Sequence, residues 1–100
     1  MMINFNAAIT NLDGEELKMR LDADRVVPMT LGRIASEALL SEDRDANAQK
    51  KVERFALAVR CYEAKEPVEL TPEQVSVIRE RIGAVCTTMI VGRCFGMLDG

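Results

Sequence analysis

The sequence predicts an α+β fold in which an N-terminal β-hairpin packs on a small bundle of about four helices. Three observations carry this expectation: apolar residues alternate on both sides of an Asp13-Gly14 step, apolar residues recur at helical spacing through the rest of the chain, and cap-type residues precede those helical stretches. One hundred residues with 48% hydrophobic content suffice for one core and not for two. A single domain over residues 1–100 is therefore expected, with a hairpin region at 1–28 and a helical bundle at 30–98.

The hairpin comes first. Ile3, Phe5, Ala7 and Ile9 alternate, as do Leu17, Met19 and Leu21. A two-residue turn on Asp13-Gly14 would set Ile9 opposite Lys18 and oppose apolar to polar along the whole ladder. A three-residue loop, Leu12-Asp13-Gly14, pairs Asn11 with Glu15, Ile9 with Leu17, Ala7 with Met19 and Phe5 with Leu21, and puts every apolar residue on one face. Asn11 suits the first position of a type I turn, and Gly14 supplies the left-handed residue that follows it. "VVPM" continues the strand region, with Pro28 as its stop.

Thr30 is the expected cap of a first helix whose stripe is Leu31, Ile34, Ala35, Ala38 and Leu39. "SEDRDAN" reads as a polar turn. A second helix is predicted from about Ala48 to Ala64, with Val52, Phe55, Ala56, Val59 and Tyr62 on its inner face. Pro67 ends it and "VEL" is a short extended piece. Thr71-Pro72-Glu73-Gln74 is a capping box with proline in the first turn, opening a third helix that buries Val75, Ile78, Ile82 and Val85. A break near Thr87 or Thr88 leads into a final helix with Ile90, Val91, Cys94, Phe95 and Leu98 inward, where Gly92 and Gly96 would allow a close helix approach.

Composition narrows the function. Sixteen acidic residues against 13 basic give a net charge of −3, which argues against direct nucleic-acid binding, since that affinity comes from Lys and Arg neutralising phosphates. The aromatics Phe5, Phe55, Tyr62 and Phe95 are scattered and suit a core better than a base-stacking platform. The start of the chain has neither a basic segment nor a long apolar one, and no run of about 18 apolar residues occurs, so neither a secretory signal nor a membrane span is expected. Cys61, Cys86 and Cys94 are odd in number and lack metal-type spacing. Buried, reduced thiols in a cytosolic setting follow.

Little chemistry is available. A calcium loop starting at Asp22 would place Val26, Val27 and Arg33 at its fifth, sixth and twelfth positions, and one starting at Asn11 puts Glu16 where glycine is needed. Histidine is absent, which removes Ser-His and Cys-His nucleophile activation and the commonest base near neutral pH. "VGRCFG" lacks the Lys-Ser/Thr ending of a phosphate loop. The residues point away from an enzyme, and no cofactor or metal is expected.

Charge, by contrast, is organised in blocks. Residues 13–24, 37–45 and 63–73 are each net −3, whereas residues 50–60 and 79–93 are net positive. An ordinary solvated surface would satisfy this pattern. So would acidic loops that steer the protein onto a basic surface, such as a groove that otherwise takes nucleic acid.

"NLDGEEL", "TLGRIASEALL", "RFALAVRCYEA", "VELTPEQVSVIRERIG" and "VGRCFGMLDG", taken together over nearly the whole chain, resemble small accessory proteins encoded by phages and prophages, including the anti-CRISPR class in size, acidity and lack of enzymatic residues. The resemblance implies a non-enzymatic inhibitor in the host bacterial cytosol that binds a host protein or ribonucleoprotein complex with a basic surface and blocks its access to DNA. Asp13, Glu15, Glu16, Asp22, Asp24, Glu42, Asp43 and Asp45 would be its partner-binding residues. A structural or assembly role in a phage particle, driven by self-association through the "GRCFGML" helix or an outer apolar strip, is the alternative; either a monomer or a homodimer is compatible.

Overall fold

The structure, a computed structural model, describes residues 1–99. Its elements are β1 (Met2–Ile3), β2 (Lys18–Asp22), β3 (Arg25–Pro28), α1 (Leu31–Leu40), α2 (Ala48–Glu63), β4 (Val68–Glu69), α3 (Pro72–Val85) and α4 (Thr88–Leu98). The fold is α+β: four helices with two small antiparallel strand pairs, β1 with β4 and β2 with β3.

Three of the four helices start at a side-chain cap, and α4 starts at Thr87 without one. Thr30 accepts a hydrogen bond from the Arg33 amide, Asn47 from the Lys50 amide, and Thr71 exchanges bonds with Gln74 in a complete capping box. The expected break is also present. Cys86 caps the end of α3, and Thr87 precedes α4.

Ile9, Leu31, Ile78, Ile82, Cys94 and Leu98 are fully covered at the centre of the molecule, with Ile3, Phe5, Ala35 and Leu70 around them. Burial of each large aliphatic side chain there contributes about 1.5–3 kcal/mol. The five predicted stripe residues of α1 are all buried. Gly32 marks a tight crossing: a Cβ there would lie 2.5 Å from the Cys61 carbonyl oxygen and 3.0 Å from that of Phe5. Only glycine lets α1 sit this close to both segments.

The first hairpin forms at its tip and no further. The Asn11 amide donates to Glu15 (2.9 Å), the Leu17 amide to Ile9 (2.8 Å), and Thr10 opposes Glu16. Gly14 adopts φ +89°. The expected pairs Ala7 with Met19 and Phe5 with Leu21 do not form. The carbonyls of Phe5 and Ala7 instead accept from the amides of Gly32 and Leu31, satisfying the start of α1. Strand β2 turns to β3, with Met19 opposite Val27 and Arg20 opposite Val26. Residues 18–28 thus make a second hairpin, exposed along most of its length.

The face of α2 also differs from the expectation. Leu57, Ala58 and Cys61 are its buried residues, whereas Val52 (65% exposed), Phe55 (60%) and Tyr62 (59%) face outward together with Ala56 and Val59. Two apolar stripes share this helix, and α1 packs over the one that carries Leu57. Smaller differences follow in α3 and α4. Val85 is exposed, Ile90, Val91 and Phe95 are half-buried, and Gly92 and Gly96 face open space instead of a neighbouring helix. The "GRCFGML" helix anchors Cys94 and Leu98 in the core of its own chain.

Candidate functional site

The acidic residues singled out in the sequence lie on three segments, and four arginines, Arg25, Arg54, Arg81 and Arg93, fix how those segments are presented. At the tip of the first hairpin, the Asn11 side chain accepts from the amides of Asp13 (2.9 Å) and Glu15 (3.0 Å), and its backbone carbonyl accepts from Gly14 (3.1 Å). Beneath the tip, Arg93 of α4 donates through Nε to the Thr10 carbonyl (3.1 Å) and through Nη2 to the Asn11 carbonyl (2.7 Å). The loop is therefore braced from inside and from below. Leu12 stands 86% exposed at its apex, and Asp13, Glu15 and Glu16 follow it along the loop, exposed and in no ion pair among the described residues.

Asp22 and Asp24 sit at the tip of the second hairpin. Asp22 accepts from the Asp24 amide (2.9 Å) and from Arg25 Nε (3.0 Å). The backbone bond from Asp24, followed by the Arg25 contact, holds its carboxyl below the usual carboxylate range. Its charge is largely answered within the turn. Asp24 has no such partner among the described residues.

The third segment, between α1 and α2, behaves differently. Glu42 and Asp45 are exposed, but the Asp43 side chain is only 18% exposed and is taken up internally. It accepts from Arg54 (2.7 Å) and from the Asp45 amide (3.0 Å), with Arg81 3.6 Å away. The Arg54 hydrogen bond, first of all, holds its carboxyl below the usual range. Arg81, itself 6% exposed, donates to the carbonyls of Ala38, Ser41 and Glu42. Asp43 thus ties the loop to α2 and α3 and is withdrawn from any partner surface. Sequence reasoning missed Leu12, Arg81 and Arg93; an apolar residue in an otherwise polar three-residue turn was the one available signal, for Leu12.

The acidic side chains do not converge: no cluster of three or more acidic or cysteine side chains suited to a metal ion occurs among the described residues. A groove of about 660 Å³ runs between Phe5, Thr30, Arg33, Tyr62 and Lys65, with Cys61 in its wall. Burial pushes the Cys61 thiol up to about 12, so it is neutral near pH 7. Thr30 is engaged in capping α1, and Arg33 stacks over Tyr62 at 5.5 Å. Burial likewise pushes Cys94 up to about 12 and raises Cys86, which is half-buried. No helix among the described residues is long and apolar enough to cross a membrane.

No model of a known protein family matches the chain, and neither the curated proteins nor the solved structures contain a significant match to it.

Proposed function

We propose that the protein is a non-enzymatic binding protein that docks the tip of its first hairpin onto a basic surface of a host protein or ribonucleoprotein complex. One observation carries this reading: Leu12 projects from a braced loop with Asp13, Glu15 and Glu16 uncompensated after it along the loop. An apolar anchor followed by like charges suits a pocket rimmed by Lys and Arg. The carboxylates would speed and orient encounter, and burial of the leucine would slow release. Because Arg93 and Asn11 already order the loop, little conformational entropy is lost on docking.

Asp24, Glu42 and Asp45 extend the negative field, Asp22 contributes less through its pairing with Arg25, and Asp43 contributes structure. The resemblance to phage-encoded proteins makes the most concrete form of this reading an anti-CRISPR inhibitor in the host cytosol that occupies a basic groove otherwise open to DNA. A pull-down from bacterial lysates containing CRISPR effector complexes tests it. The tagged protein should recover an effector complex, and simultaneous Asp13→Lys, Glu15→Lys and Glu16→Lys should abolish recovery while the circular dichroism spectrum stays unchanged. Recovery of virion components, or equal recovery by the reversed variant, would refute the reading.

A further inference from the structure

The outward face of α2 is unused by the acidic tip and by the core. Val52, Phe55, Val59 and Tyr62 follow one another at steps of three, four and three residues, the a/d spacing of a two-heptad seam, yet all four are exposed. Leu40 of α1, 60% exposed, stands beside Phe55 along the same groove. The uncovered parts of these five side chains amount to on the order of 500 Å² of apolar surface, near the upper end for a monomer that leaves no partner site.

We infer that this face is the interface between two copies of the chain, packed antiparallel about a two-fold axis near Leu57. The seam's own order of sizes points to this occupant. Run antiparallel about Leu57, Val52 of one copy meets Tyr62 of the other and Phe55 meets Val59, so every layer sets one aromatic ring against one valine. That is the isologous condition, in which each residue's partner is contacted in return. Ala56, exposed next to the axis, lets the helices approach to about 8–10 Å. A parallel pair would stack Phe55 on Phe55 and leave valine opposite valine, with layers of unequal width.

Area agrees with this assignment. A stable interface takes about 800 Å² from each partner, and the apolar strip supplies most of it. Glu37, Lys51 and Glu63 border the strip as a polar rim, and the Arg33 guanidinium stacked over the Tyr62 ring closes it at one end. The inference stands apart from the docking of the hairpin tip, which uses other residues.

The test is the molar mass in solution by sedimentation equilibrium over a range of concentrations. The wild-type chain should approach about 22 kDa, twice its 11.1 kDa. Phe55→Glu, at a site already exposed, should weaken association by at least about thirtyfold and return the mass to that of one chain with an unchanged circular dichroism spectrum. The Asp13, Glu15 and Glu16 reversal should leave the mass at two chains. In a Cys86→Ser background, Val52→Cys mixed with Tyr62→Cys should cross-link on oxidation, and neither variant should cross-link alone. A wild-type mass of one chain at every concentration, a dimer indifferent to Phe55→Glu, or self-cross-linking of Val52→Cys alone would overturn the inference.

Discussion

Truncation of Leu57 and of Phe55, two residues apart on one helix, should have opposite standing in the stability of the folded chain. Leu57 is buried on the face of α2 that packs against α1. Leu57→Ala removes its transfer energy and leaves a cavity, a loss of about 3 kcal/mol. Phe55 is 60% exposed. The covered remainder is roughly 80 Å², or about 2 kcal/mol at 25 cal/mol/Å². Phe55→Ala keeps the Cβ contact, and alanine's higher helix propensity returns about 0.5 kcal/mol, so the net loss is about 1 kcal/mol. Urea unfolding followed by circular dichroism, at submicromolar concentration so that self-association does not contribute, measures both. With a slope of about 1 kcal/mol per molar urea, the midpoints should fall by about 3 M and about 1 M respectively. Equal losses, or a larger loss for Phe55→Ala, would mean that α2 is rotated about its axis relative to the arrangement described, and that the helical stripe on Phe55 faces the core after all.

Three further outcomes follow from the same structure. Arg81→Met should cost about 3 kcal/mol in urea unfolding, because it removes a buried guanidinium from the carbonyls of Ala38, Ser41 and Glu42 and leaves Asp43 with Arg54 alone. Gly32→Ala should cost about 2 kcal/mol, since its Cβ meets two backbone carbonyl oxygens that cannot swing aside; an unchanged thermal midpoint would contradict the close crossing. Asp43 and Asp22 both have folded-state carboxyl groups held below the ordinary 3.8. Their contribution to stability is complete above that value and is lost as pH falls through it toward the lower folded values. The urea midpoint should therefore drop on acidification from about pH 5 to pH 3. Asp43→Asn combined with Asp22→Asn should flatten the profile.

The parts of this fold that were legible in the sequence are those set by neighbouring residues. Asn11 and Gly14 specify their turn within four positions, and Thr30, Thr71 and Gln74 specify helix starts within one turn. Legibility ended where a segment had two possible partners. Met19 and Leu21 alternate as well for a ladder with Ala7 and Phe5 as for the observed one with β3; the choice fell to α1, whose first amides claim the Phe5 and Ala7 carbonyls. On α2, periodicity reveals an apolar stripe on either side. The stripe with the larger side chains reads as the inner one, yet the fold buries the smaller Leu57, Ala58 and Cys61, because α1 crosses close at Gly32, where Cys61 lies within reach.

The candidate site divides in the same way. Asp13, Glu15 and Glu16 were legible as exposed because a tight turn exposes its polar residues. Asp43 was not legible as internal, because its arginine partners lie 11 and 38 positions away. Nor does any local pattern announce that Arg93 reaches the backbone of residues 10 and 11 across the fold.

The most direct test of the proposed docking is the affinity of the recovered partner for the wild-type protein, for the Asp13, Glu15 and Glu16 reversal and for Leu12→Ala, each measured across a range of salt concentrations. Binding should weaken steadily as salt screens the carboxylates, the reversal should remove both the affinity and its salt dependence, and Leu12→Ala should weaken binding at every salt concentration without changing the slope. Affinity that ignores salt and survives both substitutions would contradict the assignment of the hairpin tip as the binding surface.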